Sequence, residues 1–290
     1  MTADRYSTLA TQGAWVNLST RAKWRLSGAD RVRYLNGQVT NDVRTANSLT
    51  ALYACVTNLK GKIEGDIFIH AAPDGESLLL DADTSLRESL GIRLERYIIA
   101  DDAVLEDITD DWQLWHRISP PNGTENPPSA EGHYLTNEYR FHLPGYDVWL
   151  PNTSAPPSET WLSEAEAETL RILNRVPAYP HELNAETFPQ EAGLESRAMS
   201  FTKGCYIGQE ILSRIKTTGK MPRQLIAWTS ETEQPHGEFL MNAEGKEVGQ
   251  ITSATWHPEK QTYVGLAYVR QAAADAGTWQ TFSGQTVQAV

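Results

Sequence analysis

Lys203-Gly204-Cys205-Tyr206-Ile207-Gly208-Gln209-Glu210 opens a segment in which Ile207, Ile211 and Ile215 recur every four residues, with Leu212 beside them. That spacing puts them on one apolar stripe of a helix. Gly204 and Gly208 flank the entry and allow close backbone approach. Cys205 is expected at or just before the helix N-terminus, where unpaired N–H groups and the helix dipole favour a thiolate. Lys203 adds a positive charge beside it. The two are the candidate catalytic pair; the competing reading of Cys205 is a small buried packing residue.

Working outward, Lys203, Arg214, Lys216, Lys220 and Arg223 stand against Glu210, a local net charge of about +4. The whole chain carries a formal net charge of −12. A basic island on an acidic protein suits a small anionic ligand, or is simply a solvated face. The acidic balance excludes general nucleic-acid binding through phosphate contacts, and no aromatic-and-basic RNA motif is apparent. Cysteine occurs only at Cys55 and Cys205, which excludes a disulfide framework and fits a cytoplasmic setting. Cys55 lies in the apolar run Leu52-Tyr53-Ala54-Cys55-Val56 and reads as core. Two cysteines cannot supply the thiolates of an iron–sulfur cluster, and no metal site is expected. No apolar run reaches the roughly 18 residues of a membrane span, and the first residues lack an apolar signal core.

Short strands and helices mix before residue 160. Asp66–His70 and Ser77–Asp81 read as strands joined by an Asp74-Gly75 turn. Leu86, Leu90, Leu94, Tyr97 and Ile98 have near-helical spacing. Ala103–Ile108, Trp112–Ile118 and Tyr146–Leu150 read as further strands. The Pro-rich stretches Pro120–Pro128 and Pro151–Pro157 read as loops. Ser163-Glu164-Ala165-Glu166 has the capping-box pattern, opening a helix that continues through Leu170 and Leu173 and stops before Pro177. Leu225–Thr229, Val248–Ser253, Tyr263–Val269 and Trp279–Val287 read as strands of a small all-β module, with a turn at Asn242–Gly245. The pattern is α+β.

The stretch from Ser200 to Glu210 closely resembles the signature of the YgfZ-type folate-binding proteins and their mitochondrial iron–sulfur assembly counterparts, which are related to the glycine-cleavage aminomethyltransferase. The opening segment Gly28–Asp42, the block Leu59–Asp66, Phe188-Pro189-Gln190-Glu191, and the downstream Val248–Ser253 and Val264–Arg270 are similar to the family's other blocks. The resemblance implies an aminomethyltransferase-like ring of three domains with a C-terminal small β-barrel: residues 1–50 plus 160–220 as a folate-binding α+β domain, 51–159 as a second, ferredoxin-like α+β domain, and 221–290 as the barrel. It implies tetrahydrofolate or a derivative as ligand, iron–sulfur client or assembly proteins as partners, and an indirect effect on transfer-RNA modification. Folate-dependent one-carbon transfer or demethylation, and non-catalytic partner binding with an inherited folate pocket, are the alternatives.

Under this resemblance Arg214 is the first candidate for the folate's carboxylate tail, because a guanidinium matches a carboxylate's fork; Arg223 is the second. Tyr206 or Trp256 would stack on rings. Asn41 would line the central hole, and Gln209 and Glu210 of the signature would contribute to the ligand site. Two departures from the aminomethyltransferase pattern stand out. Leu173 replaces the Glu that helps hold the pterin, and Gly65-Asp66 stands where that enzyme has two Asp, leaving Asp66 as the candidate acid.

Overall fold

The computed structural model describes residues 1–72, 74–120, 134–137, 140–157 and 161–290. Beyond Pro120, the first Pro-rich stretch lies outside these residues; Asn152–Pro157 has no strand or helix, as expected of a loop.

Three sheets organise the chain. The first is five-stranded, in the order Leu52–Thr57, Ile63–Ala71, Ser77–Ala82, Ala22–Ser27, Val104–Asp107. Four of its strands are buried along nearly their whole length, the edge strand Val104–Asp107 being mostly exposed, and the buried strands alternate in chemistry. Ile67 and Ile69 belong with Trp24, Leu26, Ala54, Val56, Leu78 and Leu80 to an apolar core. Helices Arg31–Gln38 and Arg87–Glu95 cover that face with Tyr34, Leu35, Leu90 and Leu94. Residues directly opposite in antiparallel strands share a face. The registers Tyr53↔Phe68, Cys55↔Asp66, Phe68↔Asp81 and Lys23↔Asp81 therefore put these side chains together on the other face. His70 joins them at the period of two.

The second sheet has the order Trp161–Leu162, Ala14–Asn17, Trp112–Ile118, Gly145–Pro151, Tyr134–Asn137. It meets the first sheet through Leu114 and Trp149, which pack with Leu79 and Ala72. The hydrogen bonding does not divide the chain at residue 50. Ala22–Ser27 pairs with Ser77–Ala82 and Val104–Asp107, and Ala14–Asn17 pairs with Trp112–Ile118.

Helix Glu164–Leu173 begins with the expected capping box: Ser163 Oγ accepts from the Glu166 N–H, and the Glu166 carboxylate accepts from the Ser163 N–H. It packs on two strands of the third sheet, a closed six-stranded barrel. The barrel runs Arg223–Ser230, Thr262–Arg270, Glu247–His257, Phe239–Met241, Thr278–Thr281, Thr286–Ala289. The run expected as one strand from Trp279 to Val287 is two, broken at Phe282–Gln285 by a turn with Gly284 at φ 84°. Trp228 and Trp279 fill the barrel interior. Gly265 makes room for the first: a Cβ there would sit 2.4 Å from the Trp228 ring.

Candidate functional site

A cavity of about 130 Å³ opens where these parts meet. The polar face of the first sheet supplies Tyr53, Asp66 and Phe68, and the approach to it supplies Arg21. Arg140 and Phe141 come from the segment leading into Gly145–Pro151, and Arg171 from the capped helix. The strap after that helix closes the space with Pro177, Tyr179, Leu194 and Arg197. Pro177, Leu194 and Arg197 also line a wider groove of about 590 Å³, which carries Arg175 and His142. The two spaces therefore share part of their lining.

Asp66 is buried, and its Oδ2 accepts from the Tyr53 hydroxyl at 3.0 Å. Its Oδ1 is buried without a hydrogen-bond partner. Burial raises the Asp66 pKa, with Arg21 the strongest opposing influence. Burial likewise pushes the Tyr53 phenol well up. Such orphaned carboxylate oxygens are costly and call for an explanation. Beside them lies an ionic cluster at the seam between the two open sheets. Arg140 donates to Asp81 and Asp147, each at 2.7 Å from Nη2, and its guanidinium stands 3.8 Å above the Phe68 ring. His116 Nδ1 lies 2.8 Å from Asp147, and His70 Nε2 lies 3.1 Å from Asp81. Arg21 Nε pairs with Asp81 at 2.5 Å, while its Nη2 is buried and unpartnered. Burial alone would raise the Asp147 carboxyl; Arg140 and His116 outweigh it and hold it at about 2. Arg140 does the same for Asp81, which lies well below the usual carboxylate range despite burial.

Of the residues singled out from sequence, Asp66 lines this cavity. Asn41 does not, but its carboxamide donates to the carbonyls of Tyr53 and Arg197, two lining residues. The signature has another place. Its helix runs Gln209–Thr218 and begins at a left-handed Gly208 with φ 87°, so Cys205 lies three residues before the N-cap rather than at the helix end. Cys205 is exposed, whereas Cys55 is fully buried as expected. A Cβ on Gly208 would meet the Asn58 carbonyl at 2.6 Å, which explains the glycine; Gly204 faces open space.

Lys203 is not a free cation beside the thiol. It is buried, and its Nζ donates to the carbonyls of Asn36, Val39 and Asn41 at 2.6–2.7 Å. Burial lowers it to about 8, which leaves an ammonium at neutral pH. It clamps the signature to the end of helix Arg31–Gln38. Tyr206 is buried against Met199 and Leu212 rather than stacked in a ligand slot. Arg214 and Glu210 are exposed on the signature helix, Gln209 is half-buried there, and none lines the cavity. Arg223 is held by the Glu186 carbonyl, Thr187 and Glu191. Trp256 sits on the barrel against Tyr263, 5.0 Å between ring centroids. Lys216 pairs with Glu195, so three of the island's five cations, Lys203, Lys216 and Arg223, are engaged within the protein.

Comparison with known proteins fits this arrangement. Residues 223–289 match the family described as the glycine cleavage T-protein C-terminal barrel domain. The chain is 27% identical over 274 residues to the "Iron-sulfur cluster assembly factor IBA57 homolog, mitochondrial" of Pyricularia oryzae, covering 90% of this chain and 67% of that one. It is 25% identical over 295 residues to the "tRNA-modifying protein YgfZ" of Sodalis glossinidius, covering 90% and 86%. Over most of its length the chain is similar to proteins of the YgfZ/IBA57 type. Its fold is that of the glycine-cleavage aminomethyltransferase T from Bartonella henselae, with a TM-score of 0.85 at 16% identity, over 99% of this chain and 87% of that one. Among the described residues no helix is long and apolar enough to cross a membrane.

The pterin that the resemblance implies can be tested against the cavity. A pterin head needs a flat, mostly apolar slot with a few convergent polar groups. Tyr53, Phe68, Phe141 and Tyr179 supply the apolar walls, and the orphaned Asp66 Oδ1 supplies an acceptor. Leu173, which the resemblance places where the aminomethyltransferase has its Glu, lines a separate surface pocket beside the barrel. The residues present fit a pterin head without that Glu.

Proposed function

We propose that this chain is a YgfZ/IBA57-type protein that binds a folate, with the pterin in the cavity bounded by Tyr53, Asp66 and Phe68, and supports the assembly or maintenance of iron–sulfur proteins. The observation that carries the ligand reading is the buried Asp66 carboxylate with an unpartnered oxygen on a cavity lined by four aromatic rings. The cavity is too small for a whole folate, so the benzoyl-glutamate part extends into the neighbouring groove. Arg197 and Arg175 there replace Arg214 as candidates for the tail carboxylates. The names borne by the relatives support the iron–sulfur role, and through a cluster-dependent enzyme an effect on transfer RNA. Cys205 lies on the surface outside the cavity, so any chemistry of its thiol is with a partner molecule and not with the bound pterin.

A second reading, transfer of a one-carbon unit, is favoured by one feature: Asp66 keeps a carboxyl of raised pKa inside the cavity. Titration of tetrahydrofolate into the wild type and Asp66→Ala, paired with complementation of a deletion strain, tests the proposal. Expected are a loss of affinity of tenfold or more and failure to restore cluster-dependent enzyme activities. Unchanged affinity would remove the cavity as the ligand site.

A further inference from the structure

The walls of the cavity carry four arginines and two aspartates, and most of their hydrogen-bonding capacity is already used. Arg140 spends all three nitrogens on Asp81 and Asp147. Arg171 spends its own on Glu168, Glu182, Ser253 and the Val176 carbonyl. One oxygen of Asp83 caps the turn at Ser85. Two buried atoms on the lining residues remain without partners: Arg21 Nη2, which can only donate, and Asp66 Oδ1, which accepts when ionised. Arg21 is near enough to oppose the burial-driven rise of the Asp66 pKa.

A donor and an acceptor left over on one cavity define the complement they want: a ligand edge with an N–H and a carbonyl side by side. A 4-oxopterin has that edge, N3–H beside C4=O. A 2,4-diaminopteridine reverses both positions, because N3 becomes an acceptor and the 4-amino group a donor. Asp66 would then face a lone pair and Arg21 an N–H. Leaving buried polar groups mismatched is what allows a site to reject a close analogue strongly.

We propose that Arg21 and Asp66 read the lactam edge of the pterin and make the site selective for 4-oxo over 4-amino heads, an inference that rests on the folate reading above. Asp66 takes the N3 proton in a hydrogen bond, and Arg21 donates to O4. Arg21 stays positioned for this because its Nε is anchored on Asp81.

Folic acid and aminopterin differ only at this edge, so isothermal titration of the pair, and of their tetrahydro forms, tests the assignment. The wild type should bind the 4-oxo compound of each pair at least tenfold more tightly. Arg21→Lys keeps a cation for Asp81 but loses the second fork nitrogen, and should cut the ratio to about a third or less. Asp66→Asn offers an amide donor to N3 of the diamino head and should lower the ratio at least tenfold; it decides the matter if Arg21→Lys does not fold. Binding of both compounds within twofold by the wild type, or a full ratio in Asp66→Asn, would overturn the proposal while leaving the folate reading in place. Binding of no folate compound would remove both.

Discussion

Lys203 and Cys205 are two residues apart in the chain and differ completely in what their loss should do. The Lys203 ammonium is the partner of three backbone carbonyls around the end of helix Arg31–Gln38. Truncating it leaves buried acceptors unsatisfied, which costs far more than losing a surface contact. Lys203→Ala should destabilise the fold by about 3 kcal/mol in urea denaturation. Cys205 is exposed, so Cys205→Ser should change stability by less than about 0.5 kcal/mol. A reversed order would mean that the clamp is not structural. Adjacent matches to a motif gave no hint of this division of labour, because a motif does not say which side chain points inward.

At the scale of elements, the polar face of the first sheet was within reach of the sequence. In Asp66-Ile67-Phe68-Ile69-His70 and Leu78-Leu79-Leu80-Asp81 the isoleucines and leucines announce the core, while Asp66, His70 and Asp81 alternate with them. Polar residues on strands buried on both faces mark a site or an ionic seam rather than solvent exposure. The strands at Asp66–His70, Ser77–Asp81 and Ala103–Ile108, the capping box at Ser163 and three of the barrel strands were legible because each rests on local chemistry, whereas Ala22–Ser27, Leu52–Thr57 and Phe239–Met241 were not read as strands. The start of the signature helix was misplaced by several residues because a left-handed glycine N-cap lacks a capping side chain to announce it. The seam's partners were invisible: Arg140 and Asp147 meet Asp81 only through packing of one sheet on another.

The seam carries its own pH signature. Asp81 and Asp147 have folded-state pKa values below the ordinary 3.8, Asp147 at about 2. Their contribution to stability is complete above the unfolded value and is lost as pH falls from about 4 through about 2. For Asp147 this shift corresponds to about 2 kcal/mol. Asp147→Asn breaks a buried pair and should cost about 3–5 kcal/mol at neutral pH. Its urea stability should also fall less steeply between pH 4 and pH 2 than that of the wild type. An unchanged acid profile would show that the seam does not couple to folding.

Over the whole molecule, the cavity belongs to no single element. Sheet, strap, capped helix and the loop before Gly145–Pro151 each supply a part of it. A second junction fixes the barrel to this frame. Glu182 is fully buried and accepts from Ser253 Oγ at 2.5 Å, Arg171 Nη1 at 3.0 Å and the Ala178 N–H at 3.0 Å, while the Tyr268 hydroxyl donates to its carbonyl. Arg171 touches both the junction and the cavity, so barrel position and cavity shape are set together. Arg21, Tyr53, Tyr179 and Arg197 come from four separate stretches with no common spacing, which is why the sequence named Asp66 but not its neighbours.

The most direct measurement is the structure of the wild-type protein crystallised with tetrahydrofolate. Electron density for the pterin beside Tyr53, Asp66 and Phe68, with the tail running past Arg197 toward Arg175, is the expected result. A folate lying instead on the surface around Cys205 and Arg214, with the cavity side chains unmoved and no ligand density between them, would contradict the account.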